Sequence, residues 1–458
     1  MDQTGNASRA AMRAPSELPA MPYAERRRRF VEQIGKAVAV LPAPPEALRN
    51  GDNEYRFRQD SDLLYLTGFA EPESVAVLFP GEAGPRFVLF VRPRDPERET
   101  WVGRRAGVEG AVRDFGAAEA YPIGELAQRL PALLEGFDVL YYGLGRNPAV
   151  DRTVLDAVLT LKKTRPRRGT SPVEIRDPSV PLGETRLLKE APELTRMRRA
   201  CQISAEAHVE SLRAARPGMR EFELEAILDY AFRARGASGA GYGTIVAGGA
   251  NATILHYVEN CDPLRDGDLL LVDAGCEFDA YCGDITRTFP VGAAFTRDQR
   301  AVYDVVLAAE QAAIAEVGPG KPFDAAHNRA VEILTQGLID LGVLKGPLAD
   351  RIADNGYKPF YMHRTSHWLG LDVHDAGLYV AGGQARVLEP GMILTIEPGL
   401  YFGDYCGEVD PRWRGIGVRV EDDVLVTATG CENLTAACPK EPAELEALRR
   451  EALARSAV

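Results

Sequence analysis

At 458 residues the chain is too long for one hydrophobic core and calls for two or three domains. Hydrophobic residues at 45% and charged residues at 26% describe a globular protein, and no apolar run reaches the roughly 18 residues of a membrane-spanning helix. A net charge of −12 excludes general affinity for nucleic acid, and seven cysteines with no CxxC pair predict reduced thiols and a cytoplasmic location.

Residues 1–20 lack a continuous apolar stretch and read as a disordered leader, not a secretory signal. From residue 21 to about 180, short apolar strands expected at 74–79, 86–91 and 139–142 alternate with helical stretches, which predicts an α/β domain. The basic cluster Lys162 to Arg168, interrupted by Pro166, reads as a solvated face. Pro178 and Pro181 with little periodicity around them suit a linker, so the domains are expected at 21–183 and 184–458. Residues 184–215 have helical spacing and stop at Pro217-Gly218. Strands are then expected at 244–247, 269–274, 284–289, 392–396 and 417–426, with helices at 297–317 and 323–341 between two groups of strands. That order leaves room for a duplicated half.

Four stretches carry chemistry. In LLLVDAGCEFDAYCGDITRTF, Asp273 ends an apolar strand and Asp284, eleven residues on, begins the next; across an antiparallel hairpin both carboxylates would share one face. Such a pair repels unless a cation lies between its members, although alone it is also compatible with ordinary strand-end aspartates. MHRTSHWLGLDVHD places His363, His367 and His374 within twelve residues of a chain that has six histidines, which points to a metal or acid–base site. In GMILTIEPGLYF, Glu397 ends a buried strand and needs a partner. In GIGVRVEDDVLV, alternation sends Arg419 and Glu421 to one face, which can equally be solvent, and Asp422 and Asp423 read as surface charges. Asp273, Asp284, His367, Glu397 and Glu421 together offer four carboxylates and one imidazole, a set suited to two divalent ions and to hydrolysis. The Gly-rich GASGAGYGT precedes a strand, which makes it a poor phosphate loop and a better turn beside a substrate pocket.

The order Asp, Asp, His, Glu, Glu in these contexts resembles the pita-bread metallopeptidases of family M24. FRQDSDLLYLTGFAEPES, ETWVGRR, HYVEN, SHWLGLDVHD and GIGVRVEDD resemble the Xaa-Pro aminopeptidases (aminopeptidase P) within it, from about Tyr23 to the end. The resemblance implies an N-terminal α/β domain of the creatinase/aminopeptidase P type and an α+β catalytic domain with pseudo-two-fold duplicated halves. It implies two ions, manganese first with zinc or cobalt as alternatives, on Asp273, Asp284, His367, Glu397 and Glu421. It implies further that His256, His363 and His374 bind substrate, that Glu397 carries a proton to the leaving proline nitrogen and that Arg419 orients an active-site carboxylate. Trp101 is a candidate substrate-site residue through a neighbouring subunit, since such relatives form dimers or tetramers. The expected substrates are peptides with proline second. A dipeptidase of the prolidase type and a non-catalytic binding protein of the same fold are the alternatives. Arg364 and Thr365, and Leu63-Leu64, depart from the family pattern, which bears on side-chain preference and not on the reaction.

Overall fold

The first element of the sheet in the N-terminal part is β1 (Val38–Pro42), all of whose residues are buried, as a strand covered on both faces must be. The computed structural model describes residues 18–82 and 84–456, so most of the expected leader lies outside the described residues. Around β1 lie β2 (Val75–Gly81), β3 (Gly84–Val91), β4 (Glu119–Pro122), β5 (Val139–Tyr141) and β6 (Glu174–Arg176), in the order β4-β3-β2-β1-β5-β6. The sheet is mixed: β1 pairs antiparallel with β2 and parallel with β5. Period-two spacing sends Val38, Val40, Val75 and Val77 to one face, where helices α2 (Leu126–Leu134) and α3 (Pro148–Arg168) lay Leu126, Leu130, Leu134, Val150 and Val154 against them. Helix α1 (Tyr23–Ile34) precedes β1. Helix α3 runs through Pro166, which therefore does not interrupt the basic cluster.

The chain divides into two compact units, 1–186 and 187–458. The segment expected to be a linker is instead structured: it follows β6 and forms helix α4 (Ser179–Leu187). The single helix expected over 184–215 is two, because α5 (Ala191–Ala214) starts afresh with Glu190 and Glu193 forming a capping box and Pro192 in its first turn.

In the second unit, α5 and α6 (Glu221–Ala234) precede an antiparallel sheet of β7 (Ile245–Gly248), β8 (Leu269–Asp273) and β9 (Thr286–Pro290). Helices α7 (Arg297–Ile314) and α8 (Ala325–Asp340) precede a second antiparallel sheet of β10 (Ile393–Ile396), β13 (Asp422–Val426) and β14 (Cys431–Asn433), and β11 (Gly399–Tyr401) pairs with β12 (Gly417–Arg419). Each half is thus built on two helices followed by a three-stranded antiparallel sheet, with smaller strand pairings added to each. Val246, Leu270, Val272 and Phe289 pack on the helices, and alternation turns Ile245, Leu271 and Asp273 the other way. The expected strand over 417–426 is broken at Val420-Glu421, where the chain passes from one sheet to the other. No helix among the described residues is long and apolar enough to cross a membrane.

Candidate metal centre

The two halves meet at Thr286 and Glu421, which form an isolated antiparallel bridge; the Glu421 N–H donates to Thr286 O at 3.1 Å. The Glu421 carboxylate turns inward and accepts from Thr286 Oγ1 at 2.5 Å. Arg419 and Glu421 are buried, so the face they share is the interior and not solvent. Asp422 and Asp423, expected at the surface, are fully buried. Asp422 is held by Arg287 and Lys440, while Asp423 Oδ2 accepts from the Asp284 N–H at 2.9 Å.

Asp273 and Asp284 share a face but do not stand opposite each other. Asp273 pairs with Thr286, and the same register continues to a two-residue turn at Asp279-Ala280, both with positive φ of 50° and 72°. Asp284 is therefore diagonal to Asp273. Between them, Tyr242 OH lies 2.6 Å from Asp273 Oδ1 and 2.5 Å from Asp284 Oδ1. A Cβ at Gly275 would run into the Gly283 carbonyl, which keeps this part of the hairpin tight.

His367 and Glu397 come from adjacent chain segments. Residues 365–368 lie alongside β10, with Thr395 N donating to His367 O at 3.0 Å and Glu397 N donating to Thr365 O at 2.8 Å. The Trp368 carbonyl can only accept, so at 3.0 Å it fixes the proton on His367 Nδ1 and leaves Nε2 free to ligate. That Nε2 lies 3.4 Å from Asp284 Oδ2 and 3.6 Å from Glu397 Oε1.

All five predicted ligands line one cavity of about 770 Å³, together with His256, His363, His374 and Arg419. His256 and His374 are exposed at it, and the His374 ring meets the His367 ring edge-on at 4.4 Å. His363 is committed on both sides: Nδ1 donates to Arg364 O at 2.8 Å, so Nε2 accepts from Tyr401 OH at 2.8 Å. Arg419 donates to Tyr401 OH at 3.0 Å, to Thr286 Oγ1 at 3.0 Å and to Asp273 Oδ2 at 2.5 Å, so the carboxylate it orients is Asp273. Trp101 is not among the lining residues; it lies in the helix Pro96–Val102 of the first unit and is 85% exposed.

The charge in this cavity does not balance. Burial, then the neighbouring carboxylates, raise Glu421 well above the carboxylate range and bring Glu397 to about 7 against the pull of His367 and Arg419. Asp284 is also raised, first by burial. Burial opposes a charge on His367, yet the Asp284 hydrogen bond and the Glu397 charge outweigh it and lift the imidazole to about 9. Asp284, His367 and Glu421 each offer one ligand atom within 4.8 Å of the others'. An oxygen-rich, mutually repelling set with one oriented imidazole fits divalent cations.

A model of metallopeptidase family M24 matches residues 195–428, and one of the aminopeptidase P N-terminal domain matches residues 23–141. The chain belongs to metallopeptidase family M24, and its fold is the pita-bread catalytic domain preceded by an aminopeptidase P-type N-terminal domain. It is 44% identical to the Xaa-Pro aminopeptidase of Escherichia coli (strain K12), over 94% of this chain and 98% of that one. It is 43% identical to the Xaa-Pro aminopeptidase of Haemophilus influenzae, with the same coverage. The solved structure of Pseudomonas aeruginosa aminopeptidase PepP superposes with a TM-score of 0.92 at 49% identity, covering 95% of this chain and 99% of that one.

Sequence reasoning missed Tyr242, Tyr401 and Asp423. Tyr242 lies within the Gly-rich stretch already placed beside the pocket, and an aromatic with a hydroxyl in such a turn was its one signal. Tyr401 lies within the stretch that carries Glu397, where it reads as another apolar strand residue.

Proposed function

We propose that the chain is a Xaa-Pro aminopeptidase: a metallo-aminopeptidase that hydrolyses the bond between an N-terminal residue and proline. The observation that carries this is the convergence of four carboxylates, an oriented imidazole and three further histidines on one cavity, in a chain 44% identical to an enzyme of that name. Asp273, Asp284, His367, Glu397 and Glu421 would hold two divalent ions, with manganese the first choice for an oxygen-rich set and zinc or cobalt able to occupy it. Ions bound there supply Lewis acidity toward the scissile carbonyl and make a water acidic enough to attack at neutral pH.

The chain's own residues do the rest. His256 and His374, exposed at the cavity, donate hydrogen bonds to the substrate carbonyl as charge develops on its oxygen. Glu397 takes the proton of the attacking water and delivers it to the proline nitrogen, which must be protonated to leave. Arg419 fixes Asp273 through one limb of its fork and Tyr401 through another, and Tyr401 in turn fixes His363 at the cavity wall. We further assign a cytoplasmic location, supported by seven cysteines none of which is paired, and a homo-oligomer in which Trp101, with 85% of its surface exposed, walls a partner's substrate cleft.

The test is hydrolysis of an Xaa-Pro-Yaa tripeptide, its Xaa-Pro dipeptide and an Xaa-Ala-Yaa control, by chelated enzyme and after manganese is restored. Release of Xaa from the proline tripeptide, only with metal, is expected. Cleavage of the dipeptide alone would make the enzyme a prolidase, and cleavage of neither would leave a binding protein.

A further inference from the structure

The segment that carries His256 is held in place by side chains. Among the described residues, 255–261 make no backbone-to-backbone hydrogen bond. A loop without that ladder loses little when it moves, yet Leu255, His256 and Val258 line the cavity. The restraint comes from helix α6. Its first residue, Glu221, is fully buried, and its carboxylate accepts four hydrogen bonds from residues 248–262, on both sides of this stretch and within it. Oε1 accepts from Gly248 N at 2.8 Å and Asn251 Nδ2 at 3.0 Å; Oε2 accepts from Tyr257 OH and Asp262 N, each at 2.8 Å. One turn on, Glu225 accepts from Asn260 Nδ2 at 3.0 Å. Asn260, at φ 46°, also mimics a strand neighbour by accepting from Val246 N at 2.9 Å and donating to Thr244 O at 2.8 Å. In HYVEN, then, the tyrosine and asparagine are the buried anchors, and the histidine and valine are what they present to the cavity.

We propose that Glu221 is the positioning residue for His256: a carboxylate with no part in the chemistry that fixes the loop 249–262 and through it the place of the imidazole. The inference rests on the assignment of His256 to the substrate site. The four donors demand four acceptor positions, which only a carboxylate supplies; an amide would turn an N–H toward two of them. The helix N-terminus at which Glu221 sits favours that negative charge.

The experiment is a double-mutant cycle in the full-length, manganese-loaded enzyme, with Glu221→Gln, His256→Ala and the pair assayed for kcat and KM on the proline tripeptide, alongside metal content. Glu221→Gln should lower kcat by about tenfold or more with metal content unchanged. In the His256→Ala background the same change should cost less than about twofold, because the group it positions is gone. A merely structural loss of active protein would cost the same factor in both backgrounds and would overturn the proposal. Should Glu221→Gln fail to fold, Tyr257→Phe removes one of the four hydrogen bonds and goes through the same cycle with the same expected non-additivity. Full activity of Glu221→Gln beside a damaged His256→Ala overturns this inference alone. Full activity of His256→Ala overturns the assignment of His256, and this inference with it.

Discussion

Asp423 shows how a residue that does not line the cavity can set the geometry of one that does. It is fully buried, one residue beyond Asp422 and two beyond Glu421, and its Oδ2 accepts both the Asp284 N–H at 2.9 Å and the Cys201 thiol at 3.2 Å. Its Oδ1 finds no hydrogen-bond partner among the described residues. Burial, then the Asp284 charge, push its carboxyl well above the usual range, so the neutral acid is the form the fold favours. An asparagine reproduces that neutral form and keeps one acceptor for both donors. Asp423→Asn is expected to fold with nearly unchanged stability, whereas Asp423→Ala leaves a buried N–H and a thiol without an acceptor and should cost about 2 kcal/mol or more. The alanine variant should also bind less divalent metal, since Asp284 loses its main-chain anchor. Urea unfolding and metal analysis of the two variants check this; equal loss from both would mean that the charge, and not the acceptor, matters.

At the level of elements, the close approach of α7 and α8 decides the sign of a substitution that propensity alone would misjudge. Gly337 lies inside α8, where glycine ordinarily costs about 1 kcal/mol relative to alanine. A Cβ there would overlap both methyls of Val305 on α7. Overpacking of that kind costs about 1–3 kcal/mol, more than the propensity gain. Gly337→Ala should therefore lower the unfolding midpoint, and adding Val305→Ala should bring it back; a midpoint that rises with Gly337→Ala alone would show that the helices can part. The same level shows what could be read beforehand. Apolar runs closed by Asp273 and Glu397 gave both strand ends, and the histidine cluster gave His367, because the residues that define each are neighbours in sequence. The register of the 269–290 hairpin was not legible, since its turn falls at Asp279-Ala280, without the glycine that marks such a turn. The break between α4 and α5 did have a signal, Glu190 and Glu193 around Pro192, but the helical periodicity on either side masked it. Asp422 and Asp423 could not be placed from the sequence, because Arg287, Lys440 and Cys201 reach them only through the fold.

For the whole molecule, the arrangement in which helices cover one face of the first catalytic sheet while the other face bears the site makes stability and the site depend on the same buried polar contacts. His208 is one of them. It lies on α5, is buried, and donates from Nε2 to the carbonyl of Ala274, the residue that follows Asp273. Burial brings its pKa down to about 4, against the pull of that hydrogen bond. The folded state therefore holds His208 neutral, while the unfolded chain protonates it at its ordinary value near 6.5. The contribution to stability is fully present above about pH 6.5 and is lost as the pH falls through about 4, a difference of about 3 kcal/mol over that window. His327 acts in the same sense: burial first, and the Arg364 charge next, bring it to about 4. Metal-free protein is the right sample, because bound ions would add their own pH dependence. His208 and His327 should lower its unfolding midpoint between pH 6.5 and 4, against the raised carboxylates of the site, which gain stability over the same fall. His208→Gln keeps an N–H donor for the Ala274 carbonyl but cannot be protonated, so its midpoint should fall less over the same interval. An unchanged slope in that variant would locate the acid sensitivity in His327 and not in His208, because the carboxylates of the site, raised in the folded state, gain stability as the pH falls.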